Sequence, residues 1–542
     1  MVGCVSCGSF GSGECEVFRA CVRAIVPQAG LLKSQLPKAE LVSNAIIEAK
    51  FRHEESGMRD YILLYLNGKR HKIRGEQAFM TLAEYLRYER GLTGTKIVCA
   101  EGDCGACSVL RGETLPDQSE LRYSTINACI TFVHLMDCTH VITVEGLKED
   151  DALSPVQTAM VENYGAQCGF CTPGFICAMT DLVNHQAYQN PKGQQYLDEK
   201  QVRNALTGNL CRCTGYAPII EAGKKVDLTQ FTPLQKRYDT PEMVAELKQH
   251  RQIGVNIQAD HLQFYAPTLL EEAIRFKQER EARIFSSATD MGVLINKERS
   301  NPTVICSLNL TPGAHALSEE EGVIQVGPRV TLNELEHFLR DRIPEFSRLL
   351  KIFASPQIKN KGTLVGNIAN ASPIADTLPF LMVADAEVEL MGLQGARRVN
   401  INRFYTGYKQ LDMRQDELIS KVLIPVPAAQ DIIRLYKVSN RKDLDISTLT
   451  AAFRLKVNAG QIEQVAIAYG GVAATVVRLP KTEAFLMGKP LNQEVCQQAG
   501  VLACTEISPI SDVRASAEYR LQVAENLFLK FYHEMQPDAV GV

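Results

Sequence analysis

Short apolar runs separated by turn residues begin at about residue 58 of this chain. Residues 61–66 are almost all apolar and precede Asn67-Gly68, a pattern that predicts a strand and a hairpin turn. Residues 81–90 have the spacing of a helix, and further strands follow up to about residue 147. This order of hairpin, helix and strands is typical of a small β-grasp domain.

Helix signals replace strand signals in residues 148–226. Ser154 precedes Pro155, which is the combination of an N-cap with proline in the first turn. Thr172-Pro173 repeats that signal, and Gly208 provides a helix end. The pattern predicts a helical bundle.

The rest of the chain predicts further α+β units. Residues 227–258 are polar with weak periodicity, which predicts a linker. From residue 259 onward, Val- and Ile-rich strands alternate with helices such as 269–279 and 332–339. The fold class is therefore α+β multidomain. The predicted divisions are 1–57, 58–147, 148–226, 227–258, 259–428 and 429–542.

Residues 1–57 lack the patterns of the later segments. Their cysteines lie among glycine and serine without a strand pattern. They are Cys4, Cys7, Cys15 and Cys21. An extra metal or redox site is one interpretation, and a dispensable, poorly ordered N-terminal extension is the favoured one.

Composition limits the kinds of binding partner and the cellular compartment that we expect. The 542 residues are 45% hydrophobic and 22% charged, with a net charge of −4, which gives no reason to expect nucleic acid or an anionic membrane as partner. No apolar run reaches the ~18 residues that span a bilayer. Seventeen cysteines with Cys-x-x-Cys spacings indicate metal ligation in a reducing compartment. Without a signal-peptide pattern, we expect a cytoplasmic protein.

A first quartet of cysteines has the spacing of a plant-type [2Fe–2S] loop. Cys99, Cys104 and Cys107 follow a C-x4-C-x2-C pattern, and Cys129 completes the set. Gly102 and Gly105 allow the loop to fold tightly around an anionic cluster. Four zinc ligands are the alternative, which the β-grasp context disfavours.

A second quartet consists of Cys168-x2-Cys171 and Cys211-x-Cys213. Cys168 and Cys171 lie just before a predicted helix start, as does Cys213, so positive ends of helices would face an anionic group. The spacing alone suits a zinc knuckle equally well. Because the first quartet is ferredoxin-like, a second redox cluster is favoured.

The segments around these cysteines resemble the xanthine dehydrogenase/molybdenum hydroxylase family. The similar segments are 93–107 (TGTKIVCAEGDCGAC), 167–174 (QCGFCTPG) and 208–215 (GNLCRCTG). The resemblance extends over about residues 58–535. It implies a β-grasp ferredoxin domain and a helical domain, each with a [2Fe–2S] cluster, followed by a non-Rossmann α+β FAD-binding domain and a C-terminal α+β flavoprotein subdomain. It also implies that Gln167 lies against the molybdopterin cofactor of a partner.

Two small-residue loops carry the resemblance in the flavin region. Residues 284–292 (IFSSATDMG) read as strand, loop and helix, and residues 355–368 contain a second such loop before 371–376 (ASPIAD). By resemblance, the loops hold the diphosphate of FAD, an aspartate contacts FAD, and a phenylalanine and a lysine lie near the isoalloxazine ring. The implied residues are Ser287, Ala288, Thr289, Asp290, Gly366, Asn367, Asp376, Phe353 and Lys437. For Phe353, the alternative is a phenylalanine of the core. For Lys437, it is a lysine at the surface.

The resemblance implies an electron-transfer subunit without a substrate site of its own. No Gly-x-Gly-x-x-Gly opens a helix after a predicted strand, so a separate Rossmann site for NAD is not expected. The resemblance implies that NAD docks directly against the flavin. Purine hydroxylation, from hypoxanthine and xanthine to urate, is expected on a molybdopterin-binding large subunit, in a hetero-oligomer such as α2β2. Electrons would run from molybdenum through the second and first clusters to FAD and NAD. A subunit of an aldehyde or other N-heterocycle dehydrogenase is the first alternative, and a zinc-stabilised scaffold is the non-enzyme alternative.

Overall fold

The computed structural model of the chain describes residues 57–115, 118–149, 151–189, 193–441 and 443–536. The predicted N-terminal extension and its four cysteines lie outside the described residues, apart from Gly57. Among the described residues, no helix has both the length and the apolar character needed to cross a bilayer. Mixed sheets and helices alternate throughout, which confirms the predicted α+β multidomain class.

The first unit is a five-stranded sheet with one short helix. Its strands are β1 (Ile62–Leu66), β2 (Lys69–Ile73), β3 (Ser108–Thr114), β4 (Leu121–Asn127) and β5 (Thr139–Ile142). Their order is β2-β1-β5-β3-β4, with β1 and β5 parallel and the other neighbours antiparallel. Positive φ angles at Asn67 and Gly68 make the predicted hairpin turn. Helix α1 (Leu82–Glu84) starts from a Thr81–Glu84 capping box and continues as a π-helical turn over Tyr85–Glu89.

The second unit is helical. It contains α2 (Pro155–Glu162), α3 (Thr172–Gln189), α4 (Glu199–Ala205) and α5 (Ala217–Lys224). Ser154 caps α2 in a capping box with Gln157, and Pro155 occupies the first turn, as the sequence predicts.

Residues 227–258, predicted to be a linker, form two helices. These are α6 (Leu234–Tyr238) and α7 (Pro241–His250). Leu234, Met243 and Leu247 are buried in the same core as the preceding helical unit. Apolar residues are few in this segment, which is why their periodicity is weak in the sequence.

The flavin-region unit has two main sheets. The first contains β6 (Val255–Ala259), β7 (Leu262–Ala266), β8 (Arg283–Phe285) and β9 (Val304–Ser307), in the order β6-β7-β9-β8. The second is antiparallel, in the order β10-β11-β16-β12-β13, and contains β10 (Leu317–Glu320), β11 (Val323–Val326), β12 (Glu387–Gly392), β13 (Gly395–Asn400) and β16 (Leu418–Pro425). A small hairpin pairs β14 (Tyr405–Gly407) with β15 (Gln410–Leu411).

Eight helices accompany these sheets among the described residues. They are α8 (Leu270–Arg280), α9 (Thr289–Asn296), α10 (Leu332–Leu339), α11 (Pro344–Lys351), α12 (Pro356–Lys359), α13 (Leu364–Ala369), α14 (Leu378–Val383) and α15 (Ile401–Phe404). Helices α8 and α10 correspond to the helices that the sequence pattern predicts at 269–279 and 332–339.

The last unit is an antiparallel sheet covered by helices. Its strands are β17 (Ile432–Val438), β18 (Leu449–Asn458), β19 (Gln461–Gly470) and β20 (Val477–Arg478), and its helices are α16 (Pro480–Leu486), α17 (Gln493–Ala503) and α18 (Ala517–Glu534). In its core, the ring centroid of Phe453 lies 5.1 Å from that of Phe528 and 5.1 Å from that of Phe531.

The first sheet is covered on both faces. Leu63 belongs to a core shared with the helical unit, whereas Ile62 and Leu64 belong to a core shared with the first flavin-region sheet. Successive residues of a strand point to opposite faces, so a strand covered on both sides is apolar throughout. This explains the uninterrupted apolar run of β1. It also holds the first cysteine loop between the helical and flavin regions.

Candidate functional site

The first cysteine quartet comes together where the loop before β3 meets the end of β4. The sulfurs of Cys107 and Cys129 are 3.3 Å apart, and the backbone N–H of Cys104 donates to the sulfur of Cys99 at 3.5 Å. Two thiolates on one tetrahedral metal with bonds of about 2.3 Å stand about 3.8 Å apart. The spacing of the Cys107–Cys129 sulfurs is close to that value, so these two residues are suited to share one metal.

The loop geometry and its backbone donors suit an anionic cluster. Gly102 and Gly105 have φ angles of 77° and 68°, which glycine adopts without strain. The hydrogen bond between the sulfurs lowers the pKa of Cys107 and raises that of Cys129. Backbone N–H groups of the loop also hydrogen-bond to the sulfurs of Cys99 and Cys104. Such donors stabilise thiolate, which is the form that binds metal.

The second quartet also consists of closely spaced sulfurs. The sulfur of Cys213 lies 3.7 Å from that of Cys168 and 3.9 Å from that of Cys211. The Cys171 thiol hydrogen-bonds with Cys211. Cys168 and Cys171 immediately precede α3, an 18-residue helix, so the positive end of its dipole lies beside the sulfurs. Cys168 and Cys213 are exposed, whereas Cys107 and Cys129 are buried.

Neighbouring sulfurs of the quartets lie between 3.3 and 3.9 Å apart where distances are shortest. In the part of the chain that the structure describes, no three His, Cys, Asp or Glu side chains are arranged to hold one metal ion. A [2Fe–2S] cluster needs four thiolates that are distributed over two metal ions rather than converging on one. The residues present therefore fit a [2Fe–2S] cluster better than a mononuclear zinc site.

The two cysteine loops touch each other through their backbones. The N–H of Leu210 donates to the carbonyl oxygen of Cys104, and the Asn209 side-chain amide donates to the carbonyl oxygen of Gly105 at 3.0 Å. A Cβ at Gly105 would lie 2.2 Å from the carbonyl oxygen of Gly208, so only glycine permits this approach. The contact holds the two quartets in a fixed relation.

A flavin-region side chain completes this contact. The Gln357 amide nitrogen donates to Asn209 Oδ1 at 2.8 Å and to Ser108 Oγ at 3.1 Å. Gln357, Asn209 and Ser108 are all buried. All three parts of the chain therefore meet between the quartets.

The two predicted diphosphate loops lie side by side. Ser287 and Thr363 line one polar pocket, and a Cβ at Gly362 would lie 3.5 Å from the Thr289 hydroxyl. Ala288 adopts a φ of 60° at the N-cap of α9, a conformation that favours glycine.

Among the remaining loop residues, Asp290 and Gly366 are exposed and Asn367 is half-buried. Thr363 caps α13 by accepting from the N–H of Gly366 at 3.0 Å. Asn367 is fixed by a 2.6 Å hydrogen bond from Thr377, and Asp290 is exposed on α9. Two helix starts beside an exposed glycine at 366 fit a diphosphate.

Asp376 and Lys437 form a buried ion pair beside this region. The Lys437 ammonium is 2.7 Å from Asp376 Oδ2 and also donates to Ser447 Oγ at 2.6 Å. Its side chain is 1% exposed, which rules out the surface-lysine alternative. Burial raises the pKa of Asp376, and the Lys437 charge opposes that rise. Phe353 is half-buried against the flavin-region core.

Several residues at these sites were not found from the sequence. Ser447 donates to Asp376 Oδ1 at 2.6 Å, and the Asp445 carbonyl oxygen accepts from Lys437 at 2.7 Å. Asn209 lies within a recognised motif, but Gln357 and Ser447 carry no pattern that separates them from ordinary polar residues. Gln167, in contrast, is exposed beside Cys168, where a partner can reach it.

Four domain families match the chain in order. Residues 64–134 match a 2Fe-2S iron-sulfur cluster binding domain, and residues 143–224 match a [2Fe-2S] binding domain. Residues 259–427 match the FAD binding domain in molybdopterin dehydrogenase, and residues 434–535 match the CO dehydrogenase flavoprotein C-terminal domain. Each quartet thus lies within an iron–sulfur domain, and the two loops and the Asp376–Lys437 pair lie in the matched flavin regions.

Full-length relatives and solved structures are also similar. Xanthine dehydrogenase 1 of Arabidopsis thaliana is 29% identical over 87% of this chain and 39% of its own length. Xanthine dehydrogenase/oxidase of Gallus gallus is 29% identical over 87% of this chain and 40% of its own length. The chain therefore spans about two-fifths of these curated relatives.

Among solved structures, a carbon monoxide dehydrogenase from Hydrogenophaga pseudoflava is 24% identical, with a TM-score of 0.48, over 49% of this chain and 94% of its own. Quinoline 2-oxidoreductase from Pseudomonas putida 86 is 24% identical, with a TM-score of 0.47, over 51% of this chain and 96% of its own. The ordered succession of two iron–sulfur domains, an FAD-binding domain and its C-terminal companion places the chain in the molybdenum hydroxylase family, as the iron–sulfur and FAD portion.

Proposed function

We propose that this chain is the electron-transfer subunit of an NAD-dependent xanthine dehydrogenase. The observation that carries the proposal is the direct contact between the two cysteine loops, through Leu210 and Cys104, in a chain that also has the flavin domains. Xanthine dehydrogenases from plants and animals match most of the chain, which favours purines as the substrate class. When bound, two [2Fe–2S] clusters and FAD supply one-electron steps and their conversion into a two-electron transfer.

The protein's part is to hold these groups and fix their spacing. Eight thiols would ligate the clusters: Cys99, Cys104, Cys107 and Cys129 in one set, and Cys168, Cys171, Cys211 and Cys213 in the other. The Ser287–Asp290 loop and the Gly366–Asn367 loop would bind the diphosphate of FAD, with Phe353, Asp376 and Lys437 nearer its ring system. The buried Lys437 ammonium is suited to stabilise negative charge beside the flavin.

The substrate site is proposed on a molybdopterin-binding partner. Two cysteines of the second quartet, Cys168 and Cys213, lie at the surface together with Gln167, which supports this arrangement. Phe170 and Tyr164 are 51% and 83% exposed on the same segment, and aromatic side chains are typical of protein interfaces. The first quartet has no exposed cysteine, and Cys107 and Cys129 are buried, which suits the later position in the relay. NAD is the proposed electron acceptor. The proposed location is the cytoplasm, where thiols stay reduced.

Co-purification with the partner subunit provides the test. The complex should form NADH when supplied with hypoxanthine and NAD, and an aldehyde should be a poor substitute. Turnover of aldehydes without turnover of purines would contradict the substrate assignment. Rapid oxygen consumption without NADH formation would contradict NAD as the acceptor.

A further inference from the structure

A buried pocket between the first sheet and the flavin-region loops contains an excess of positive charge. Arg111 and Glu113 of β3 line it from the ferredoxin domain, and Arg329 and Lys361 line it from the flavin region. Ser287 and Thr363, from the two predicted diphosphate loops, also line the pocket.

One carboxylate lines this pocket together with three cationic side chains. Glu113 lies 2.9 Å from Arg111 and 3.5 Å from Arg329; Glu113 and Arg111 are buried, and the Arg329 side chain is 11% exposed. His315, which also lines the pocket, is paired with Glu334 at 2.8 Å. Neither Glu113 nor Glu334 forms an ion pair with Lys361.

Several buried donors here have no acceptor. Lys361 is 4% exposed, and no hydrogen bond or ion pair joins its ammonium to any other part of the described chain. The Nε atoms of Arg111 and Arg329 are buried and also without partners. Buried donors and charges without acceptors are costly, so the pocket is suited to a ligand that only accepts hydrogen bonds and carries negative charge.

A bound anion would oppose the effect of burial on Lys361. Burial, together with the charges of Arg111 and Arg329, lowers the pKa of Lys361 well below its ordinary value. A negatively charged ligand beside the amine would oppose that effect and favour the ammonium form.

The size and position of the pocket indicate which kind of ligand it can bind. The open space accommodates about one water-sized group, which suits a single oxygen of a larger ligand better than a whole free oxyanion. The pocket adjoins Ser287 and Thr363, and α9 begins directly after Ala288. A phosphoryl oxygen placed there would meet lysine and arginine donors together with a helix start.

We propose that Lys361, with Arg111 and Arg329, binds an oxygen of a phosphate group, and that the diphosphate of FAD supplies it. The ferredoxin domain then contributes directly to flavin binding through β3. This proposal depends on the FAD-binding domain and is independent of the substrate and the partner. It can therefore fail or hold whatever the fate of the xanthine dehydrogenase proposal.

The test compares flavin ligands on the full chain after its FAD has been removed. Titrations of FAD and riboflavin, followed by flavin fluorescence, are made on the original chain and on Lys361→Met. Because a charge-assisted contact to phosphate is lost, FAD should bind about tenfold more weakly to the variant. Riboflavin, which has no phosphate, should bind equally to both. Lys361→Arg should restore most of the affinity, and Lys351→Met, at an exposed lysine of the same domain, is the control.

A second measurement needs no variant and identifies the source of the phosphate. If FAD supplies it, inorganic phosphate should compete with FAD but not with riboflavin, and should not raise the melting temperature of FAD-loaded protein. If free phosphate is the occupant, it should raise that melting temperature, and Lys361→Met should abolish the rise without changing FAD affinity; this outcome keeps the phosphate site and overturns FAD as its source. Unchanged FAD affinity in the variant together with no effect of phosphate would overturn the proposal altogether.

Discussion

The backbone N–H of Leu210 donates to the carbonyl oxygen of Cys104 at 2.9 Å, and this hydrogen bond joins the two cysteine loops. Leu210 is followed directly by Cys211, so one backbone hydrogen bond and a few covalent bonds separate a sulfur of one quartet from a sulfur of the other. Gly105 permits this approach, and Gly208 leaves room for the Gln357 side chain. Gln357, from the flavin region, fixes it from outside through Asn209 and Ser108.

Removal of the Gln357 amide should weaken this contact. In Gln357→Leu, the partner oxygens of Asn209 and Ser108 lose a buried donor, which should lower the free energy of unfolding by about 1–3 kcal/mol. Urea unfolding measures the loss, and low-temperature EPR of the reduced protein should show an altered interaction between the clusters. Gln394→Leu, at an exposed turn, is the control and should change neither. Unchanged stability and spectra in Gln357→Leu would mean that the contact does not depend on this side chain.

Loss of one thiol should remove one cluster only. Cys107→Ser takes a buried ligand from the first quartet, so we expect about half the iron and loss of one of two EPR signals, with the second quartet still loaded. Cys177→Ser is the matched control, because Cys177 is buried outside both quartets. Equal iron contents in the two variants would contradict the assignment of Cys107 as a ligand.

The Asp376–Lys437 pair should be needed to retain flavin. Lys437→Met leaves the carboxylate of Asp376 buried without its cation, which should cost about 3–5 kcal/mol of stability or force protonation of the acid. We expect weaker FAD retention, measured as flavin per chain after gel filtration. In Lys437→Met/Asp376→Asn, where no charge is left uncompensated, much of the stability should return. A single variant with normal flavin content and normal unfolding would remove this pair from the site.

The raised pKa of Asp239 should make the stability of the protein depend on pH. Burial raises its pKa to about 6, although Leu121 and Tyr123 donate to it at 2.6 and 2.7 Å. Between the unfolded pKa of about 4 and about 6, the folded state holds more protons, so this group's contribution to the free energy of unfolding falls as the pH rises. Asp239→Asn should remove that contribution. The stability difference between variant and original chain should therefore shift in favour of the variant from pH 4.5 to pH 7, and a difference that is constant with pH would contradict this assignment.

Local features of the fold followed from the sequence, whereas contacts between distant segments did not. The Asn67-Gly68 turn, the Ser154 cap and the two cysteine spacings are determined by neighbouring residues. In contrast, β1 is apolar throughout because different domains cover its two faces, which its own residues cannot reveal. Residues 227–258 lacked a clear period because so few of their residues are apolar.

At the candidate sites too, contacts between distant segments could not be predicted from the sequence. Pattern and resemblance supplied the eight cysteines and the flavin loops, but not the pairing of Cys168 with Cys213 across 45 residues. Gln357 and Lys361 gain their importance from residues that are more than a hundred positions away, Asn209 and Arg111. Their own sequence neighbourhoods give no sign of these contacts.

The central claim is that the two quartets hold iron–sulfur clusters beside a bound flavin. Iron, sulfide and FAD analysis of the anaerobically prepared chain, combined with its visible spectrum, tests this most directly. The account predicts two irons and two sulfides for each quartet, one FAD, and visible bands that bleach on reduction. A colourless protein that contains zinc in place of iron would contradict it.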